Sequence, residues 1–232
     1  MKKLFTLLAL AITFSMNAQL TAVTEGGNTG QRLSTSNASN HGDIGYKAVD
    51  LSYSSSSSST RGATGSNAVA MGYNSTANGN YSTAMGEITT ASGYGSTAMG
   101  RYALASGYAS TAIGNGTSAT GTYSLAMGSF TTAGDFGSTA MGYLTSASGG
   151  DSTAMGIYTI ASGDGSTAMG RYTTASDYAS TVIGQYNSSG SSATSADSFS
   201  TSAPAFVIGN GTSGSLSDAF KVMFNGDATV SN

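Results

Sequence analysis

The sequence predicts an all-β protein whose central part is a β-solenoid, a rod built from short coils of chain stacked on one another. The main observation is a tripeptide Ala-Met-Gly, or a close variant, that recurs nine times at an unvarying spacing of 14 residues. The glycines that end the nine copies are Gly72, Gly86, Gly100, Gly114, Gly128, Gly142, Gly156, Gly170 and Gly184. A second observation is composition, since Gly, Ala, Ser and Thr supply well over half of the 232 residues and charged residues only 8%. Such a chain needs an architecture that accepts small side chains inside.

The period itself selects the architecture. Repeats made of helix pairs need roughly 33 to 47 residues, so 14 residues are too few for them. Two strands of about five residues joined by two tight turns fit instead, and nine such coils make a rod about 45 Å long. We expect the glycine that ends each motif, and the one seven residues later in most coils, to supply the positive φ of the turns. In two coils Asp135 and Asp177, also turn formers, take the later place.

Side chains alternate along a strand, so each coil has two faces. In one coil Ser82 and Ala84 share a face, while Thr83 and Met85 share the other. Either face could point inward, but a narrow coil favours the uniform small residues inside. The consequence is an outward apolar column, which is made of Met71, Met85, Met99, Ile113, Met127, Met141, Met155, Met169 and Ile183. This column could be core within one chain, a soft binding surface or an interface between chains, and we favour the interface because small side chains alone bury little apolar area.

The motif has a recognisable pattern. The sequence STAMG, followed five residues later by Ala and then by Ser-Gly, resembles the YadA-like head repeat of trimeric autotransporter adhesins over residues 63–184. The resemblance implies a left-handed parallel β-roll, a homotrimer with the Met85 column toward its axis, and an extracellular surface, matrix protein or glycan as ligand. The residues that the resemblance places on the candidate ligand surface are Arg101, Tyr102, Phe130, Tyr158, Arg171 and Tyr172.

The flanks complete the predicted organisation. Residues 1–18 have the layout of a secretory signal peptide, with Lys2 and Lys3 before a short apolar run, so we expect a secreted or cell-surface protein. No later apolar run is long enough for a transmembrane segment in the mature chain. Residues 19–62 are predicted to form a β-rich cap and a Ser-rich linker, and residues 185–232 a Ser-rich connector and a hairpin tail with Asn-Gly turns. We expect the chain either to lack a stalk and anchor or to stop short of them.

Composition excludes several functions. There is no Cys for a thiol enzyme, a disulfide scaffold or a Cys-based zinc site. Acidic residues outnumber basic ones, which disfavours nucleic acid as a partner. A serine nucleophile needs a base, and His41, the one imidazole, has no nucleophile elbow near it and is expected to be a polar loop residue. The aspartates of the array, including Asp151 and Asp164, fall at different phases of the repeat, so no catalytic, cofactor-binding or metal-binding residue is assigned.

Three functions remain open. The favoured one is a non-enzymatic adhesin-like module that acts through many weak, repeated contacts. The second is an ice- or polysaccharide-binding solenoid that uses a threonine rank formed by Thr83, Thr97, Thr111, Thr139, Thr153, Thr167 and Thr181. The third, a glycan-degrading enzyme on the solenoid, is disfavoured because no pair of carboxylates recurs at fixed positions.

Overall fold

The computed structural model describes residues 20–231, so the predicted leader over residues 1–18 lies outside the described part. Residues 20–231 form 24 strands and one 3₁₀ turn, Ala38–Asn40, which confirms the all-β class. Over this range no helix has the length and apolar character that a membrane span requires.

Each coil of the solenoid contains one long and one short strand. The long strands of the array are β5 (Val69–Tyr73), β7 (Thr83–Glu87), β9 (Thr97–Arg101), β11 (Thr111–Asn115), β13 (Leu125–Ser129), β15 (Thr139–Tyr143), β17 (Thr153–Ile157), β19 (Thr167–Arg171) and β21 (Thr181–Gln185). The short strands are β4 (Gly62–Ala63), β6 (Thr76–Ala77), β8 (Thr90–Ala91), β10 (Leu104–Ala105), β12 (Ser118–Ala119), β14 (Thr132–Ala133), β16 (Ser146–Ala147), β18 (Ile160–Ala161) and β20 (Thr174–Ala175). The expectation of about five residues for the second strand is wrong, because Ile88 adopts a left-handed turn conformation with φ 54° and leaves few residues before the next turn.

The strands stack in parallel with every residue above its counterpart one coil away. Met85 pairs with Met99 and Gly86 with Gly100, and the short strands pair in the same way. Two further long strands, β3 (Val49–Tyr53) and β22 (Pro204–Asn210), continue the long-strand sheet in the same parallel sense at its two ends. The solenoid therefore has about eleven turns in the described part of the chain, two more than the nine repeats that the sequence shows.

Antiparallel strands close both ends of the long-strand sheet. The remaining strands are β1 (Leu20–Glu25) and β2 (Asn28–Leu33) before β3, and β23 (Asp218–Met223) and β24 (Ala228–Val230) after β22. The turn between β23 and β24 contains Asn225 and Gly226, where Gly226 has φ 93°. Hairpin strands of this kind cover the open ends that a stack of parallel coils would otherwise leave unpaired.

The interior of the solenoid consists of small side chains, as expected from the alternation. Ala84 of the long strand and Ala91 of the short strand are fully buried, and so are Ser82 and Thr89 beside them. Only some inner hydroxyls are hydrogen-bonded within their own coil. That of Ser110 donates to the carbonyl oxygen of Gly107 at 2.8 Å, whereas those of Ser82 and Thr89 contact no acceptor in the described part of the chain. The core is thus one small residue deep from each sheet.

The glycines of the coil serve two different needs. The glycine that ends the long-strand motif has the expected positive φ, for example 128° at Gly86. The expectation of positive φ at the later glycine is wrong, because the left-handed residue lies two positions further on, at Gly95 with φ 63° in this coil. Gly93 is required for space instead, since a Cβ there would lie 1.9 Å from the carbonyl oxygen of Gly107 in the next coil.

Two carboxylates fasten the loop over residues 186–203 to the solenoid. Asp177, which replaces a turn glycine, is fully buried and accepts a hydrogen bond from the backbone N–H of Ser195 at 2.8 Å. Asp218 accepts the backbone N–H groups of Ser188 and Ser189, both at 2.9 Å. Partial burial would raise the pKa of Asp218, but these hydrogen bonds outweigh it and hold the pKa below its ordinary value.

Candidate functional site

The nine apolar residues predicted to face outward all lie on the outer face of the long-strand sheet. They stand directly above one another, since each pairs with the next along the parallel register. None of them is buried, and Met127, at 39% exposure, is the most exposed. We call this set the apolar column.

The apolar column continues beyond the repeats. At one end Leu51 of β3 pairs with Met71, and at the other Ile208 of β22 pairs with Ile183. Beyond Ile208 the column passes to Phe220 and then to Val230 in the closing hairpins. Sequence reasoning missed these four residues because loops of irregular length separate them from the 14-residue period. An unbroken apolar column therefore runs along the outer face of the long-strand sheet from β3 to β24.

The threonine rank shares the face of the apolar column. Thr83 and Met85 both point outward from β7, and Leu125 interrupts the rank in β13. The rank becomes apolar at its ends, where Val69 pairs with Thr83 and Phe206 pairs with Thr181. Any partner that covers the apolar column would also cover this threonine rank.

The six predicted ligand residues lie where long strands end: Arg101 and Arg171 are the last residues of their strands, and the four aromatic residues lie in the turns that follow long strands. Tyr102, Phe130 and Tyr158 are exposed and adopt left-handed backbone conformations, with φ of 52°, 53° and 55°. This conformation is uncommon for large L-residues. Hydrogen bonds between coils hold it: the N–H of Tyr102, for example, donates to the carbonyl oxygen of Glu87 at 2.9 Å.

The structure brings only part of this set together. Tyr158 and Tyr172 stack at 4.5 Å between ring centroids, and Arg171 lies 5.4 Å from the centroid of Tyr172. With Tyr143 and Tyr186 they form a row of four rings that we call the long-strand ladder. Partial desolvation and the neighbouring phenols of this ladder raise the pKa of Tyr158.

The other three predicted residues lie apart from the long-strand ladder. Arg101 packs over Tyr102, 4.7 Å from the ring centroid, and its Nε donates to Glu87 at 3.0 Å. Between Tyr102 and Phe130 the equivalent residue is Gly116, which has no side chain to continue a row. The predicted set is therefore divided along this edge of the rod: Arg101 and Tyr102 lie together, and Phe130 lies apart from both them and the long-strand ladder.

A second row of rings lies at the opposite turn, the one that follows each short strand, and sequence reasoning missed it. It consists of Tyr81, Tyr94, Tyr108, Tyr123 and Phe136, and we call it the short-strand ladder. Neighbouring ring centroids lie 5.2, 5.2, 5.5 and 5.7 Å apart, and each side chain is between 47% and 56% exposed. Successive aromatic residues of the ladder are 13 to 15 residues apart in the sequence instead of exactly 14, because the side chains of two adjacent turn positions both project outward. A search for one aromatic residue per coil within a two-residue window would have found it.

His41 lies in a loop, as expected, but it is buried there and contacts a carboxylate. Its Nδ1 lies 2.9 Å from Oδ2 of the fully buried Asp50, and Arg32 bridges Asp50 and Glu25 with contacts of 3.4 and 2.7 Å. Burial would raise the pKa of Asp50, but contacts from His41 and Ser52 outweigh it and hold the pKa below its ordinary value. The cluster fastens the N-terminal residues to the first long strand, a structural role.

The turn aspartates stay separate from one another. Oδ1 of Asp164 accepts the backbone N–H of Gly150 at 2.9 Å, and Asp151 takes a left-handed turn conformation. Over residues 20–231 no three His, Asp or Glu side chains are grouped closely enough to hold a metal ion.

Comparison with known proteins identifies the repeats. The family model described as the YadA head domain repeat matches residues 63–86, 82–103, 91–117, 105–131, 136–159 and 161–187. A search of curated proteins found no match. The matched segments together cover more than half of the chain and coincide with the parallel coils, so the chain belongs to the YadA head family.

Proposed function

We propose that the protein is a non-enzymatic, adhesin-like binding module, displayed outside the cell, that assembles as a homotrimer through the apolar column. The observation that carries this proposal is the length of the column, which runs without interruption from Leu51 to Val230 on one sheet face. Membership of the YadA head family supports an adhesin-like role and a trimeric state.

The energetics of the coil favour self-association. The inner columns are Ala, Ser and Thr, each of which removes little apolar area from water at about 25 cal/mol per Å². Ordering each residue opposes folding by about 1 to 2 kcal/mol. Large apolar side chains in a contiguous exposed stripe are typical of an interface, and covering them adds the burial that the coil lacks. Because one stripe runs along each rod, three copies can bring their stripes to one axis.

Such an assembly leaves the turn edges and the short-strand sheet facing outward. Candidate contact residues on these surfaces are Arg101, Tyr102, Phe130, Tyr158, Arg171 and Tyr172. Contacts repeated along each rod and across three chains give an avidity that exceeds any single contact, provided that the ligand can engage several at once. A matrix protein, a glycan or another extended surface outside the cell meets that condition, and the predicted leader would bring the chain there.

The test compares charge on the two faces of one coil. Met127→Asp places a carboxylate in the apolar column, whereas Thr132→Asp places one on the exposed outer face of the short-strand sheet in the same coil. Native mass spectrometry should find the parent and Thr132→Asp as trimers and Met127→Asp as a monomer, because a desolvated unpaired carboxylate is strongly unfavourable. Far-UV circular dichroism checks that each variant is folded. A parent that is monomeric at every concentration, or a Met127→Asp variant that remains trimeric, would overturn the proposal.

A further inference from the structure

The short-strand ladder borders a hydroxyl-rich face that the apolar column does not share. The outer face of the short-strand sheet carries one residue from each short strand and one from the position after it. These two ranks are Thr76, Thr90, Leu104, Ser118, Thr132, Ser146, Ile160 and Thr174, and then Asn78, Ser92, Ser106, Thr120, Gly134, Ser148 and Ser162. Leu104 and Ile160 interrupt the hydroxyls of the first rank, and the second rank ends where Ser176 is buried. Because Ala91 points into the core, Thr90 and Ser92 on either side of it point outward. Hydroxyls and rings thus run side by side along the rod.

The two central rings of the ladder are stacked, whereas the outer rings meet their neighbours at steep angles. Tyr94 and Tyr108 are parallel within 3°, so their facing surfaces are taken up by one another. Tyr123 is turned by 83° from Tyr108 and by 90° from Phe136. Ring edges carry the positive part of the aromatic quadrupole, and a phenolic hydroxyl both donates and accepts hydrogen bonds. This combination suits the oxygen atoms of a hydroxyl-bearing ligand.

The long-strand ladder differs in two respects. It carries the cation Arg171, which lies within 5.9 Å of the ring centroids of both Tyr172 and Tyr186. Its phenols also interact with one another, which contributes to the raised pKa of Tyr158. By contrast, the two outer ranks and the rings of the short-strand ladder include no ionisable acid or base from residue 76 to residue 134 apart from the tyrosines themselves. Between residues 76 and 134 the surroundings of the short-strand ladder therefore suit an uncharged ligand, and the one adjacent carboxylate, Asp135, lies beside Phe136 at the end of the ladder.

We propose that the short-strand ladder and the adjacent hydroxyl face bind a neutral, β-linked polysaccharide lying along the rod. Neighbouring rings belong to successive coils, which stack about 4.8 Å apart, and their centroids lie 5.2 to 5.7 Å apart. Both distances are close to the length of one sugar unit in an extended β-linked chain. One sugar per coil can then meet a ring edge on one side and Thr or Ser hydroxyls on the other. The inference deepens the proposed function by naming a ligand class, but it does not need the trimer, because this track lies on a different face from the apolar column.

The experiment measures depletion of the purified chain from solution by suspended cellulose and by suspended chitin, with cellohexaose and chitohexaose as soluble competitors. The double variant Tyr94→Ala, Tyr108→Ala removes the centre of the track. The double variant Tyr53→Ala, Tyr73→Ala is its matched control, since these two exposed tyrosines also stack but belong neither to a ladder nor to the candidate contact residues. Loss of two ring and hydroxyl contacts should weaken binding about tenfold, while the control should change it by less than about twofold. Binding should hardly change with salt, because no charge takes part.

Three results would overturn the assignment. The first is that the parent binds neither polysaccharide. The second is that the parent and the Tyr94→Ala, Tyr108→Ala variant bind equally well. The third is that these tyrosines are needed only for binding to a protein, such as immobilised gelatin. If the double alanine variant fails to fold by circular dichroism, Tyr108→Phe replaces it, since that change removes only the hydroxyl. It should weaken polysaccharide binding about threefold, and unchanged binding would equally refute the proposal. The Met127→Asp variant separates this test from the test of assembly. It should lose the trimer but keep its binding to the polysaccharide.

Discussion

Replacing Gly128 with alanine should destabilise the solenoid strongly, because this glycine meets two separate constraints. Its φ of +123° is one that L side chains rarely adopt, and a Cβ there would lie 2.1 Å from the carbonyl oxygen of Gly142 in the next coil. The clashing atom is backbone held in the parallel ladder, so it cannot turn aside as a side chain would. Backbone strain is worth about 1 to 3 kcal/mol, and overpacking a similar amount. We expect the free energy of unfolding to fall by about 4 kcal/mol, which is a large part of the roughly 5 to 15 kcal/mol that stabilises a typical domain.

Gly134→Ala in the same coil is the matched control. Gly134 has no left-handed φ, and the nearest atom to a Cβ added there would be the carbonyl oxygen of Ala147, at 3.8 Å. Alanine there restricts the unfolded chain and should leave stability unchanged or raise it by up to about 1 kcal/mol. Guanidinium unfolding followed by far-UV circular dichroism, at one fixed protein concentration, compares the variants. If the free energies of unfolding of Gly128→Ala and Gly134→Ala differ by less than about 0.5 kcal/mol, contact between coils does not explain why glycine ends each long-strand motif.

Two further predictions concern charges. The pKa of Asp50 is lowered from 3.8 in the folded protein, so its stabilising contribution is full above that value and is lost as pH falls through the lowered pKa. Asp50→Asn should therefore cost about 3 kcal/mol in urea unfolding near neutral pH, with the deficit shrinking in acid, whereas the exposed Asp43→Asn should change little at any pH. If the stability difference between the parent and Asp50→Asn stayed constant into strong acid, the ionised form of Asp50 would not be the source of the stabilisation. Arg101→Gln should lower stability by less than about 1 kcal/mol, because Arg101 and Glu87 are 54% and 45% exposed, and a larger loss in thermal unfolding would show that the pair is more than a screened surface contact.

The period predicted the repeated part of the fold well because it measures a physical distance, the length of chain in one coil. It also determined which residues stack, and hence the small interior and the apolar column. It could not find β3 and β22, although Leu51 and Ile208 continue the column in register. The loops over residues 54–61 and 186–203 lengthen the path between neighbouring strands without changing their stacking. A periodic signal is lost wherever a loop varies in length, even where the structure itself stays periodic.

The candidate surfaces were predictable to a different degree. The long-strand ladder contains three residues that the sequence marks, Tyr158, Arg171 and Tyr172, since these keep the 14-residue phase. The short-strand ladder was missed because left-handed turns let either of two adjacent residues project outward, as Tyr108 and Tyr123 show. The burial of His41 and its contact with Asp50 were not predicted, because Asp50 lies on the first long strand and no local pattern pairs the two residues.

The narrow interior of the coil explains both the small side chains inside it and the large side chains on its outer surface. Where a short strand faces the long one, the inner position of the long strand is alanine from Ala70 to Ala168. It becomes valine at Val182 and Val207, and both lie after β20, the last short strand in the described part of the chain. Within residues 20–231, β21 still contacts β20 but has no short strand after it, so the larger inner side chain occurs where the next short strand of the stack is missing. A coil this narrow must direct every large apolar or aromatic residue outward, so its binding and assembly surfaces can only lie on the outside of the rod, repeated once per coil.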